Sequence, residues 1–100
     1  MKVLFHIDEI SKWTLLNANI KNILKEDPSI SVSVVANAEA VDLFITQLNL
    51  EKNVTYFVCN NALTNRKIDK TKLISNIEIT PSGVYKILLL QEEGYKYIKP

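Results

Sequence analysis

Val54-Thr55-Tyr56-Phe57-Val58-Cys59-Asn60-Asn61-Ala62-Leu63 passes from an apolar, β-branched run into a polar turn, and the chain's one cysteine stands at the junction. A short run of this composition bounded by turn residues reads as a strand. Placed in a parallel α/β sheet, its carboxyl end opens onto the crevice where such sheets bind ligands, and the next helix aims backbone amides at the sulfur.

The flanking sequence supplies the rest of such a sheet. Lys2 to Ile7 is an apolar run suited to a buried strand, followed by a turn at Asp8-Glu9. Trp13, Leu16, Ile20, Ile23 and Leu24 then fall at helical spacing, which predicts an amphipathic helix from an N-cap near Ser11 to just before Asp27-Pro28. Ser29 to Ala36 changes to a β-branched strand pattern, and Asn37 is expected to cap a helix with core face Val41, Phe44, Ile45 and Leu48. Glu39 suits the positive end of that helix. Asn53 to Val58 is the third strand. Short helical turns follow Cys59, with Asp69 as a cap before Leu73-Ile74. Ile77-Glu78-Ile79 is a fourth strand, and Thr80-Pro81 reads as a cap with proline at the first helical position, leading into Val84, Ile87, Leu88 and Gln91. Gly94 stops that helix, and Tyr95 to Ile98 alternates as a final edge strand.

Strands alternating with helices predict an α/β fold, a three-layer α/β/α sandwich around a mostly parallel five-stranded sheet. At 100 residues the chain is expected to form a single domain over positions 1–100. Its 47% hydrophobic and 23% charged residues are those of an ordinary globular protein. A net charge of +1 with scattered lysines leaves no electrostatic footprint for nucleic acid. No apolar run approaches the roughly 20 residues of a membrane helix, and the opening Met1-Lys2-Val3-Leu4-Phe5 leads straight into polar residues, so neither membrane nor export is expected and the location read is cytoplasmic. One cysteine excludes a disulfide framework, a CxxC redox pair and a zinc site on paired cysteines. His6 has no second histidine, so no metal site is predicted. Thr80-Pro81-Ser82-Gly83 lacks a phosphate-loop or dinucleotide fingerprint, and no cofactor is predicted.

The topology gathers polar groups at one edge. The ligand-facing ends of the first four strands carry His6 and Asp8, Asn37 and Glu39, Cys59 with Asn60 and Asn61, and Thr80 with Ser82 and Gly83. Strand order decides which of them meet. His6 assists Cys59 only if their strands are neighbours.

Cys59-Asn60-Asn61-Ala62-Leu63-Thr64-Asn65-Arg66 resembles the strand-end motif of the DsrE-like family of sulfur-relay proteins, a cysteine followed three residues later by a small residue and then by arginine. Lys2-Val3-Leu4-Phe5-His6-Ile7-Asp8-Glu9, Val35-Ala36-Asn37-Ala38-Glu39-Ala40-Val41 and Gly94-Tyr95-Lys96-Tyr97-Ile98-Lys99-Pro100 look like the small single-domain branch of the same family, so the resemblance spans the chain. It implies a three-layer α/β/α domain, assembly into homo-oligomers, commonly trimers or hexamers, and a cysteine that carries sulfur as a persulfide between donor and acceptor proteins. Relatives usually have glycine after the arginine, whereas this chain has Lys67, which puts the course of that loop in question.

On this reading Cys59 is the sulfur-bearing residue, at most a sulfurtransferase-type carrier, and His6, Asn37, Asn60, Asn61 and Arg66 are its ligand-binding neighbours. The alternatives are an inert buried cysteine in a ligand-binding protein of the same fold, and an assembly or regulatory protein whose oligomer surface matters most. An exposed, reactive thiol favours the carrier, and a buried thiol beside a polar pocket favours the binder.

Overall fold

A computed structural model describes residues 1–100. The chain runs β1 (Lys2–Ile7), α1 (Trp13–Glu26), β2 (Ser31–Ala36), β3 (Val54–Cys59), α2 (Asn60–Asn65), β4 (Glu78–Thr80), α3 (Gly83–Glu92) and β5 (Lys96–Ile98), with 3₁₀ segments at Ile10–Lys12, Ala38–Ile45 and Lys70–Lys72. The five strands form one sheet in the order β4-β3-β2-β1-β5, and every pairing is parallel.

Strand order fixes the layers. From β1 to β4 the chain steps one strand at a time in a single direction, so right-handed crossovers put the intervening helices on one face. The connection from β4 to β5 returns across the sheet in the opposite direction, which places α3 on the other. The packing follows this division. Val3, Phe5, Ile7, Val32, Val34, Ala36, Tyr56 and Val58 bury against Leu16 and Ile20 of α1, Val41 and Phe44 of the long 3₁₀ segment, and Leu63 of α2. On the opposite face Leu4 and Val35 meet Ile87 and Leu90 of α3, with Phe57 and Tyr95 packed at the margin. Lys86 of α3 lies over the Phe57 ring, its Nζ 4.4 Å from the centroid.

Several local expectations change. The segment after Asn37 is a 3₁₀ helix of eight residues, entered through Ala38 in the left-handed region at φ 49°. Its buried Val41 and Phe44 are three apart, as 3₁₀ geometry requires, and Ile45, expected in the core, is exposed. Ser11 does not cap α1, because the chain first makes the 3₁₀ turn Ile10–Lys12. Pro81 does not open α3 either. Its carbonyl accepts from the Asn61 N–H at 3.3 Å, and Ser82 becomes the cap, its Oγ accepting from the Tyr85 N–H at 3.3 Å. Asp69 does cap, but a 3₁₀ turn, its Oδ1 accepting from the Thr71 N–H at 2.9 Å.

Lys67 resolves the question of its loop. Its N–H donates to the Thr64 carbonyl at 3.1 Å and the Ile68 N–H donates to the Leu63 carbonyl at 2.9 Å, while Lys67 itself has φ 56°. This is the Schellman closure of α2, with lysine in the left-handed position that glycine usually fills. The loop therefore turns as a glycine would turn it, with the strain of a side chain at positive φ.

No helix is long and apolar enough to cross a membrane.

Candidate functional site

Parallel register levels the strand ends. Ile7 stands opposite Ala36, Ala36 opposite Val58, and Cys59 opposite Thr80, so Asp8, Asn37, Cys59 and the start of α3 come out at one height. The connections leaving β3 and β4 part to opposite faces of the sheet. Between them opens a cleft of about 390 Å³, lined by Asn37, Ala38, Glu39, Cys59, Asn61, Ala62, Asn65, Arg66, Ser82, Gly83 and Val84. A crevice at such a divergence is where open α/β sheets bind ligands.

Cys59 is the last residue of β3 and the N-cap of α2. Only 6% of its surface is exposed, so its sulfur is at the floor of the cleft. Two backbone N–H groups donate to Sγ, one from Ala62 in the first turn of α2 at 3.4 Å and one from Gly83 at the start of α3 at 3.2 Å. The second contact depends on glycine. A Cβ at position 83 would stand 3.1 Å from Asn37 Cβ and 3.2 Å from Cys59 Cβ, tight enough that these neighbours must give by a few tenths of an ångström, and at an ordinary contact distance of 3.5 Å from Cys59 Sγ. Gly83 thus lets α3 approach the sulfur.

Arg66 reaches the cleft wall from the end of α2, and its guanidinium is occupied. Nε and Nη2 donate to the two carboxylate oxygens of Asp42 at 2.7 and 2.6 Å, a bidentate pair joining α2 to the long 3₁₀ segment. The Arg66 hydrogen bond holds the Asp42 carboxyl below the ordinary value of 3.8, and the same bond raises the guanidinium's proton affinity. Asp42 carried no motif in the sequence. No sequence signal pointed to it, because Arg66 is 24 positions away with β3 between. Glu39, expected as a first-turn acid, is on the cleft wall and accepts from the Ile10 N–H at 2.8 Å, tying the loop after β1 to that wall.

His6 is two strands from Cys59, because β2 lies between β1 and β3. The strand-neighbour condition for direct assistance is not met, and His6 lines a separate hollow with Val84, Ile87, Gln91 and Tyr97. Its Nε2 is 2.8 Å from Asn37 Oδ1 and its Nδ1 is 2.6 Å from the Tyr97 hydroxyl. Asn37, expected to cap the following helix, makes no such bond and spends its side-chain oxygen on His6. Asn61 is on the cleft wall, whereas Asn60 is not among the lining residues, and Asn60 Oδ1 is buried without a hydrogen-bond partner. At the outer end of β1 the Lys99 ammonium donates to Asp8 at 3.0 Å, and that bond holds the Asp8 carboxyl below its ordinary value. No three His, Cys, Asp or Glu side chains converge as a metal-binding group.

Comparison with known proteins follows the same lines. The model of the DsrE/DsrF-like family matches residues 9–100. Among solved structures, the chain is similar to the protein of unknown function MTH1491 from Methanobacterium thermoautotrophicum, with 29% identity, a TM-score of 0.87, and coverage of 99% of this chain and 98% of that one. A search of the curated proteins finds no match.

Proposed function

Because this chain belongs to the DsrE/DsrF-like family, a group with a sulfur-relay-type fold, we propose that it carries sulfur as a persulfide on Cys59. The observation that supports this reading is the pair of N–H donors on Sγ at the floor of an open cleft. A thiolate, or the outer sulfur of a persulfide, is an anion that such donors favour without a second cysteine.

The step balances without an added oxidant. The Cys59 thiolate attacks the outer sulfur of a donor persulfide. A Cys59 S–S bond forms as the donor's S–S bond breaks, and the donor leaves as a thiolate. An acceptor thiolate then attacks the outer sulfur on Cys59, takes it, and returns Cys59 to the thiolate. The chain is a carrier between donor and acceptor proteins.

Homo-oligomerisation belongs to this reading. Val84, Tyr85 and Leu88 of α3 are 65%, 60% and 54% exposed, an apolar stripe on the thinly covered face of the sheet. Val84 is also a wall of the cleft, so a second copy packed on this stripe would stand at the mouth of the sulfur site. The trimer or hexamer usual for the family is the expected assembly. Sedimentation of the wild type beside Tyr85→Asp/Leu88→Asp tests it, since a monomeric wild type removes this part of the reading.

The burial of Cys59 favours a second reading, in which the cleft binds a small polar ligand and no sulfur is transferred. Intact-mass spectrometry separates the two. After incubation with a persulfide donor, the wild type is expected to gain one sulfur on Cys59 that an acceptor thiol removes, and Cys59→Ser to gain none. A thiol unreactive toward several donors and small alkylating agents moves the assignment to the binder.

A further inference from the structure

Resting on the reading of Cys59 as the sulfur-bearing residue, we propose that His6 is a positioning residue, holding the Asn37 carboxamide so that its NH2 faces the cleft as a third donor to an anionic sulfur ligand. Asn37 occupies the N-cap position of a helical segment, where asparagine usually turns its oxygen onto the backbone, yet it makes no cap bond. Its Oδ1 is 2.8 Å from His6 Nε2 instead. A carboxamide oxygen only accepts, so Nε2 carries the proton whether the ring is neutral or charged. In the neutral ring Nδ1 then accepts from the Tyr97 hydroxyl, 2.6 Å away on β5. The carboxamide is planar, so with its oxygen held at His6 its NH2 is left on the side away from the ring, and Asn37 is a residue of the cleft lining.

The site makes this donor count. Asn37 and Cys59 both close on Gly83, their Cβ atoms 3.1 and 3.2 Å from the place a Cβ would take there, so the two side chains leave the backbone next to one another at the sulfur that Ala62 and Gly83 already serve. The cationic group on the cleft wall, Arg66, is paired with Asp42, and Glu39 opposes any incoming anion. Selection of an anionic ligand therefore falls to neutral N–H groups, and the orientation of Asn37 is the part that His6 and Tyr97 control.

The test is the charge preference of Cys59. Its alkylation by iodoacetate, an anion, and by iodoacetamide, its neutral counterpart, is timed by intact mass in the wild type and in Asn37→Ala, His6→Phe, His6→Gln and Tyr97→Phe. The ratio of the two rates is expected to fall about tenfold in Asn37→Ala and His6→Phe, the worth of one donor to a charged group. Tyr97→Phe should lower it less, and His6→Gln, which keeps an amide donor near the Nε2 position, should restore much of it. General loosening of the fold raises both rates together and leaves the ratio alone. Nitrogen NMR of the wild-type histidine adds a readout that needs no variant, with the proton expected on Nε2. A ratio indifferent to His6→Phe, or a neutral ring protonated at Nδ1, overturns this inference while leaving a reactive Cys59 in place. A Cys59 silent to both reagents and to persulfide donors overturns the carrier reading and this inference with it.

Discussion

On one side of the sheet, seventeen buried residues from the strands, α1, Ile30 just before β2, the long 3₁₀ segment and α2 make a continuous core, and the partly buried Trp13 packed on it meets Phe44 and Tyr56 ring to ring. On the other side the buried cluster has four residues, Leu4 and Val35 of the strands and Ile87 and Leu90 of the single covering helix, and α3 turns Val84, Tyr85 and Leu88 outward. The first face has a ring cluster and several layers of contact to lose. The second has a marginal core and an apolar exterior. Stability is thus concentrated on the thick face, and the thin face is where assembly and the cleft share residues.

The largest expected effect breaks the thick face. Phe44→Ala removes a fully buried ring and should cost about 3–5 kcal/mol in denaturant unfolding, against about 2 kcal/mol for Ile87→Ala beneath α3. Equal losses at the two positions would dissolve the comparison. At the seam between the faces, Gly83→Ala gains helix propensity but forces a Cβ against Asn37 and Cys59. A net loss of about 1–2 kcal/mol is expected, with faster alkylation of Cys59 as α3 withdraws. An unchanged melting temperature and alkylation rate would show that α3 has room to spare.

Lys67→Gly should act in the opposite direction. It relieves the positive φ at the end of α2 and is expected to stabilise the thick face by up to about 1 kcal/mol, part of the relief being offset by the freer unfolded chain. Acid supplies a milder probe. Asp42 and Asp8 have their folded-state proton affinities lowered, first by hydrogen bonds from Arg66 and Lys99. The stability they contribute is therefore present above their ordinary value of 3.8 and drains away as pH falls below it through the folded-state values. Melts in Asp42→Asn should lose part of that acid dependence, and an identical pH profile would place it elsewhere. Smallest of all, Leu88→Gln on the thin face should move the unfolding free energy of the dissociated chain by less than about 0.5 kcal/mol. A larger loss would mean that the outer stripe of α3 supports the monomer.

Much of the thick face was legible in the sequence because its pattern is local. A short apolar run marks β1, helical spacing from Trp13 to Leu24 marks α1, and the run into Cys59 marks β3 and the crevice beyond it. The seam was not legible, because it depends on partners distant in sequence. Asn37 has the residue type of a cap, and only the three-dimensional arrangement shows His6 claiming its oxygen. Asp42 reads as a surface carboxylate until α2 brings Arg66 to it. Gly83 stood among the strand-end residues, but its closeness to Cys59 follows from β3 and β4 lying side by side in register. Period also misled. Asn37 to Leu48 fits a helical spacing, yet Ala38 enters in the left-handed region and the segment winds with three residues per turn.

The last strand is laid beside the first. Lys2 donates to the Glu93 carbonyl, His6 meets Tyr97 and Asp8 meets Lys99, each across 91 positions of sequence. A ribosome making this chain therefore delivers β1 and β2 long before the strand that covers the open edge of β1. Until Lys96–Ile98 emerge, that edge is bare and free to pair with another nascent chain, and His6 has no hydroxyl beside it. Closure of the sheet and completion of the Tyr97–His6–Asn37 chain are one event, so a chain stalled short of its final strand is left sticky and without its histidine anchor at the same time.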